Sequence, residues 1–342
     1  MNILLVRIGR LGDIVMILPA VKEIQRLYPK ATIHVVTSPD GIRLLKAFGL
    51  NPGTMVQYKN NILSRLWELY KVRRFIRRQP FDVVYCFERK KRTLSWLPAP
   101  AKIIEPSHEL QHYAWRCLTL VTASPEQDYK RHYLPVNPQK IPPLHAFLST
   151  QGIACDTILI GLHPTYSGFN KWGKGKESRH RLWPWQHFAK LALMLADYGK
   201  KNGMDIKVVM DLLPEERRLG EQIQAASQGR AVLLPTEPDF QRYLCFLQRL
   251  NVLVVANTGV MHLAAALNTP LVALFSELHP GDCGPYMPEE RFNVLRAEDT
   301  ANPERGLEAI AVEAVFDAVL ALLMNQSINR PGQARAVDVI TG

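Results

Sequence analysis

Apolar runs and helix-like stretches alternate along the first part of the chain. Residues 3–8, 31–38 and 81–87 are mostly apolar runs, and a helical pattern follows the first of them to about residue 27. Short continuous apolar runs are typical of parallel strands that are buried on both faces. The alternation therefore predicts a parallel sheet covered by helices on both sides.

The same alternation begins again in the second part of the chain. Its apolar runs lie at 157–164, 206–212, 231–235, 251–257 and 270–276. Between the two parts, residues 133–145 carry four prolines, which disfavour both a helix interior and a central strand, so we read this segment as a linker. The predicted class is α/β, with doubly wound parallel-sheet domains over residues 1–140 and 150–325 and a polar tail over 326–342.

Composition agrees with two soluble domains. A chain of 342 residues is longer than one hydrophobic core usually supports. The five cysteines are widely spaced, which predicts neither a disulfide framework nor a metal site, and the short apolar N-terminus does not predict a signal peptide. We expect a cytoplasmic protein. The net charge of +11 favours anionic partners such as phosphates, nucleic acid or lipid headgroups.

Candidate chemistry follows the predicted strands, because open parallel sheets bind ligands at the carboxyl ends of their strands. In "VRIGRLGDIVMILPA", residues 6–20, Asp13 has a helix N-cap as its plainest role, with Gly12 easing the turn. In "NTGVMH", residues 257–262, a helix start could bind an anion through free N–H groups. The plainer alternative there is that Asn257 caps the helix and His262 lies in the core. Arg181 could offer a bidentate fork to a phosphate.

Three segments in this order, "RIGRLGDIVMILPA", "RLWP" and "NTGVMHLAAALNTPLVALF", resemble glycosyltransferase family 9, the ADP-heptose:lipopolysaccharide heptosyltransferases. The resemblance spans roughly residues 1–325. It implies a GT-B fold, in which two Rossmann-like domains face a central cleft, with the acceptor bound by the N-terminal domain and the donor by the C-terminal one. It also implies inverting, metal-independent transfer from a nucleotide sugar, ADP-heptose, with no other cofactor.

The resemblance assigns roles to individual residues. Asp13 matches the general base, and Arg181 matches the basic residue at the diphosphate. Displacement of a nucleoside diphosphate needs both, since a base must take the proton of the attacking hydroxyl and cationic groups must stabilise the leaving group. The donor-binding candidates are Asn257, Thr258, Gly259, His262, Glu215, Glu216, His163 and Thr165, with Asp211 as an alternative to the two glutamates near the ribose.

Basic residues near the first sheet are candidates for contact with the acceptor. The candidate acceptor residues are Arg7, Arg10, Gly12, Arg89, Lys90, Lys91, Arg92 and Arg74. Arg74 belongs to a basic helix predicted over residues 62–78, which could dock an anionic saccharide or lie against anionic lipid headgroups, or could be an ordinary solvated surface. The predicted partners are a lipid-linked lipopolysaccharide precursor and the inner face of the inner membrane, without nucleic acid.

Three departures from the family pattern surround the predicted donor pocket. Asn257 stands where the family usually has Asp, and Ser276 and Glu277 stand where it often has Gly and Pro. A Gly- and Lys-rich segment, within residues 166–180, adds about ten residues ahead of Arg181. Two alternatives therefore stay open: the same fold with a different nucleotide-hexose donor, and a basic binding protein without catalysis.

Overall fold

The computed structural model of the chain describes residues 1–57, 65–88, 97, 101–104, 110–123, 134–166, 179–236 and 238–328. The chain divides into two compact units: residues 1–135 with 281–286, and residues 136–280 with 287–342. Every strand pairing in both sheets is parallel. The predicted α/β class with two parallel sheets is therefore confirmed.

The first unit is built on a five-stranded sheet in the order β3-β2-β1-β4-β5. Its central strand β1 is wholly buried from Ile3 to Val6, as expected for a strand with helices on both faces. The strands are β1 Asn2–Arg7, β2 Thr32–Thr37, β3 Thr54–Gln57, β4 Val83–Cys86 and β5 Ala101–Ile103. The helices are α1 Leu11–Val15, α2 Leu18–Leu27, α3 Pro39–Ala47, α4 Arg65–Arg77 and α5 Tyr113–Thr119.

The second unit is built on a six-stranded sheet in the order β11-β10-β9-β6-β7-β8. The strands are β6 Ile158–His163, β7 Ile206–Met210, β8 Ala231–Leu233, β9 Val252–Ala256, β10 Leu271–Phe275 and β11 Phe292–Arg296. The helices are α6 Ile141–Thr150, α7 Trp185–Lys201, α8 Arg217–Ala226, α9 Phe240–Arg249, α10 Gly259–Ala266 and α12 Val312–Ile328. The short helix α11, Pro280–Cys283, lies almost wholly in residues 281–286 of the first unit. Among the described helices, none has the length and apolarity needed to span a bilayer.

The proline-rich segment differs from the linker that we predicted. Helix α6 begins within it, at Ile141, and Pro142 and Pro143 occupy its first turn. Proline is tolerated there because the first N–H groups of a helix have no partner within the helix. Helix α12 likewise continues to Ile328, three residues into the predicted polar tail, and residues 329–342 lie outside the described part of the chain.

A short segment far along the chain belongs to the first unit. Residues 281–286 join it, although the predicted C-terminal domain included them. His112 holds the segment through a hydrogen bond of 3.1 Å from its Nε2 to the carbonyl of Gly284, and its ring stacks on Tyr286 at 4.8 Å. The Nδ1 atom of His112 accepts the N–H of Ala114, so the ring proton lies on Nε2.

Candidate active site

Asp13 lies in the first turn of α1, directly after the carboxyl end of β1. It is the third residue of the helix, and Arg10 occupies the N-cap position that we predicted for Asp13. Its Oδ2 atom accepts the backbone N–H of Arg10 at 2.8 Å, so the carboxylate caps the helix from inside. Its Oδ1 atom accepts Nη2 of Arg7 at 2.7 Å. The side chain is still 37% exposed, which leaves the carboxylate accessible to a substrate.

Arg7, one of the acceptor candidates, is buried and pairs with Asp13, and its contact with an acceptor stays a prediction. Its Nη1 atom donates to the carbonyl of Phe87 at 3.0 Å and lies 3.6 Å from the carboxylate of Glu88. Burial works to lower the pKa of Arg7, but its interactions with Tyr113, Asp13 and Glu88 outweigh burial and raise it. Arg7 therefore remains a cation whose guanidinium fixes the orientation of Asp13.

Two residues that sequence reasoning missed complete this arrangement. Gly9 packs against Asp13, and a Cβ atom at Gly9 would lie 2.5 Å from the Cβ of Asp13, so only glycine fits there. Glu88 is buried and accepts the N–H of Ile8, which connects the end of β4 to the turn after β1. The glycine that we expected to ease the turn, Gly12, is instead a buried residue of α1.

The structure describes only some of the remaining acceptor candidates. Arg10 is exposed at the start of α1, and Arg74 is exposed on α4. Residues 89–92, which hold the other four basic candidates, lie outside the described residues. Their contact with an acceptor stays a prediction.

In the second unit, the loop after β9 leads into α10 at the carboxyl edge of the sheet. The N-cap residue is Thr258, one position after the Asn257 cap that we considered, and its side chain makes no capping hydrogen bond. Its Oγ1 atom is buried and has no hydrogen-bond partner among the residues that the structure describes. Gly259 opens the helix, and His262 is buried one turn further on. This helix start has N–H groups and a hydroxyl available for an anion.

Arg181, the candidate for the diphosphate, lies beside this helix start. It ends a short 3₁₀ turn, Arg179–Arg181, and its Nη2 atom donates to the carbonyl of Asn257 at 3.4 Å. Its guanidinium also lies over the ring of Tyr166, 5.8 Å from the ring centre. A cation and a helix N-terminus thus meet at the adjacent ends of β6 and β9, which can bind a diphosphate.

Two contacts within the second unit hold the turn that carries Arg181. The hydroxyl of Ser276 donates to the carbonyl of His180 at 2.6 Å. Gly306, at φ +60°, packs so closely that a Cβ atom there would lie 2.6 Å from the Cα of His180. Ser276, one of the departures from the family pattern, therefore supports the backbone next to Arg181. Glu277, the other departure after β10, has φ +65° and donates its N–H to the carboxylate of Glu298 at 2.6 Å.

A second group of donor candidates meets at the carboxyl ends of β6 and β7. The hydroxyl of Thr165 lies 3.3 Å from Nε2 of His163 and hydrogen-bonds to the carboxylate of Glu216. Burial lowers the pKa of His163 to about 4, so this imidazole is neutral at pH 7. Burial also raises the pKa of Glu216, although its hydrogen bonds with Thr165 and with the N–H of Leu213 oppose the rise.

The structure separates the three acidic residues proposed for the ribose. Glu216 hydrogen-bonds with Thr165, whereas Glu215, in the same 3₁₀ turn, is exposed. Asp211 is buried in an ion pair of 2.5 Å with Arg242, whose guanidinium lies 4.7 Å from the ring centre of Phe147. Because Asp211 neutralises a buried arginine, Glu216 fits the ribose assignment better.

In the part of the chain that the structure describes, no group of three or more His, Cys, Asp or Glu side chains is arranged to hold a metal ion.

Comparison with known proteins decides the family. Residues 74–310 match the sequence profile of glycosyltransferase family 9 (heptosyltransferase), which is more than half of the chain. The chain belongs to glycosyltransferase family 9. The resemblance carried by the three motifs is thus confirmed.

Two curated relatives and one solved structure illustrate the similarity within family 9. Lipopolysaccharide heptosyltransferase 2 of Escherichia coli is 28% identical over 158 residues, which cover 43% of this chain and 44% of that protein. Lipooligosaccharide heptosyltransferase 2 of Haemophilus ducreyi is 25% identical over 317 residues, 82% of this chain and 84% of that protein. The structure of E. coli ADP-heptose LPS heptosyltransferase II superposes with a TM-score of 0.69 at 20% identity, covering 95% of this chain and 99% of that chain.

Proposed function

We propose that this family 9 member transfers a heptose, or a related sugar, from an ADP-activated donor to an anionic, lipid-linked saccharide of the lipopolysaccharide type. The observation that carries the proposal is the position of Arg181 at the start of α10, where Thr258 has a buried hydroxyl without a partner among the described residues. The relatives of this chain include a lipopolysaccharide and a lipooligosaccharide heptosyltransferase, which supports the choice of sugar and acceptor.

The proposed reaction is a single displacement with inversion at the anomeric carbon. The acceptor hydroxyl attacks that carbon and gives its proton to Asp13, while the bond from the carbon to the diphosphate oxygen breaks and its electron pair leaves with ADP. Arg7 and the N–H of Arg10 hold both oxygens of Asp13 and so orient the base. Arg181 and the first N–H groups of α10 stabilise the charge on the leaving diphosphate, so the proposed mechanism is metal-independent.

The group formed by His163, Thr165 and Glu216 suits the nucleoside end of the donor. Glu216 is already largely buried and hydrogen-bonded by Thr165 and Leu213, so its carboxylate can accept hydrogen bonds from ribose hydroxyls with little further loss of water. The neutral His163 adds no positive charge that would compete with Arg181 for the phosphates.

Two alternatives rank below this proposal. A different nucleotide-hexose donor is favoured by Asn257, Ser276 and Glu277, all of which lie near the helix start or the turn of Arg181. A basic binding protein without catalysis explains the net charge of +11. It does not explain why a partly exposed Asp13 is held by an ion pair and a backbone N–H together.

A ligand screen by thermal unfolding tests the choice of donor. A nucleotide sugar that binds only the folded protein, at a concentration of about 100 times its Kd, raises Tm by roughly 5–10 °C. We expect that shift with ADP and ADP-heptose and a smaller one with UDP sugars. A shift with UDP sugars alone would select the alternative donor, and no shift with any of them would contradict the transferase assignment.

Ser276→Ala is expected to weaken ADP binding several-fold, because the turn that carries Arg181 loses its hydrogen bond at His180. The matched control is Thr269→Val, which removes another buried hydroxyl that donates to a backbone carbonyl, that of Leu247 at 2.9 Å. Each variant should lose about 1 kcal/mol of unfolding free energy. Calorimetric titration with ADP distinguishes them, and equal affinities in both variants and the wild type would refute the role given to Ser276.

The acceptor side of the proposal places the protein at a membrane surface. A lipid-linked saccharide is anchored in a bilayer, and we propose that the protein works as a peripheral protein at the cytoplasmic face of the inner membrane. The exposed basic residues Arg10 and Arg74 and the net charge of +11 support contact with anionic headgroups.

A further inference from the structure

Three exposed apolar side chains of the first unit lie close together at the N-terminal end of α4. Nine large hydrophobic side chains are exposed among the described residues, and three of them fall within five consecutive positions. These are Leu66, Trp67 and Tyr70, which are 84%, 62% and 51% exposed. The rings of Trp67 and Tyr70 stack at 5.6 Å. Contiguous exposed apolar groups of this kind mark interaction sites more often than single ones do.

The packing of α4 fixes which side of the helix faces outward. Val72 and Ile76 are buried in the core of the first unit, and Leu69 and Phe75 pack against the same core. Leu66, Trp67, Tyr70, Arg73, Arg74 and Arg77 are all exposed and recur at intervals of three and four residues, so they share the opposite side. We call these six residues, together with the exposed Arg78 that follows, the outer face of α4.

The outer face of α4 carries positive charge, and no carboxylate in the described part of the chain forms an ion pair with its arginines. Its four arginines follow the three apolar side chains along the helix, at the C-terminal end. The single acidic residue of α4, Glu68, is buried and pairs with Lys71 at 2.9 Å. The face therefore has an aromatic end and an arginine end.

We propose that the outer face of α4 docks the protein on an anionic phospholipid bilayer. Trp and Tyr prefer the boundary between headgroups and acyl chains, and an amphipathic helix can lie in that plane while its arginines contact lipid phosphates. This inference rests on the proposed function for its biological setting, and it adds which surface of the protein meets the membrane. A second copy of the chain fits the face poorly, because self-association would bring two sets of four arginines together.

Sedimentation with lipid vesicles tests the proposal on the full chain. We expect binding to vesicles of phosphatidylcholine mixed with phosphatidylglycerol, and much weaker binding to phosphatidylcholine alone. Arg73→Gln combined with Arg77→Gln should weaken binding to the anionic vesicles about 30-fold. Trp67→Ala should weaken it several-fold. The matched controls are Lys200→Gln combined with Lys201→Gln, at the end of α7, and Leu110→Ala, whose side chain is 60% exposed.

The outcomes separate this proposal from the transferase assignment. ADP binding, measured by calorimetry without lipid, should be the same in the α4 variants and in the wild type. Equal binding of wild type and α4 variants to anionic vesicles would overturn the role of α4, even if ADP binds. Tighter binding of wild type to duplex DNA or RNA than to the anionic vesicles, lost in the same variants, would overturn it in favour of a nucleic-acid surface. If the wild-type protein did not bind ADP, the proposed function would be contradicted instead.

Discussion

Asp13→Asn is expected to lower kcat for sugar transfer by about 10²- to 10⁴-fold, the usual contribution of a general base. Asparagine has the same shape, and its side-chain oxygen can still accept the N–H of Arg10, so the first turn of α1 should persist. The affinity for ADP should be close to that of the wild type, because ADP is bound by the second unit in the proposed mechanism. The rate of ADP release in the presence of acceptor measures the loss.

Asp40→Asn is the matched control for Asp13. Asp40 also lies in the first turn of a helix that follows a strand of the same sheet, and it pairs with Arg43 at 3.1 Å. It should cost little stability and no activity, since exposed ion pairs contribute about 0–1 kcal/mol. If the Asp13 variant turned over at the rate of the Asp40 variant, Asp13 would not be the base.

Arg181→Ala is expected to lower kcat/KM by about 10²- to 10³-fold, because the leaving diphosphate loses its cationic partner. Arg181→Lys should recover part of this loss, since lysine keeps the charge but lacks the planar fork of arginine. ADP affinity should fall in the same order, with the wild type tightest and the alanine variant weakest. Calorimetry with ADP and steady-state kinetics measure the two effects separately.

Arg230→Ala provides the control for loss of one positive charge from the second unit. Arg230 is exposed between α8 and β8. It precedes a strand of the parallel sheet, whereas the turn of Arg181 lies near the carboxyl ends of β6 and β9. Its removal should leave ADP affinity unchanged. An Arg181→Ala variant that binds ADP as well as the Arg230 variant would remove Arg181 from the phosphate site.

Sequence periodicity predicted the sheets well, because buried parallel strands are apolar over their whole length. The run at residues 3–8 and the run at 251–257 became β1 and β9, each central or near-central in its sheet. Periodicity does not encode strand order, however. The proximity of Arg181 to Asn257 depends on β6 lying next to β9, and that pairing joins segments about ninety residues apart. The family motifs, rather than the pattern, connected these residues beforehand.

The environment of Asp13 could be anticipated only in part. A lone arginine in an apolar run, Arg7, is usually interpreted as exposed, and its burial depends on Phe87 and Glu88, eighty residues further along. The importance of Gly9 follows from its close approach to Asp13 in the folded chain, which the sequence pattern does not encode. In α6, two adjacent prolines suggested a break, whereas a helix start tolerates them.

Transfer of the sugar itself is the most direct test. The wild-type protein is incubated with ADP-heptose and a lipid-linked core saccharide that lacks heptose, and the acceptor is analysed by mass spectrometry while free ADP is quantified. We expect an acceptor heavier by one heptose residue, together with an equal amount of ADP. An acceptor of unchanged mass, with the donor either intact or merely hydrolysed, would contradict the assignment of this chain as a heptosyltransferase.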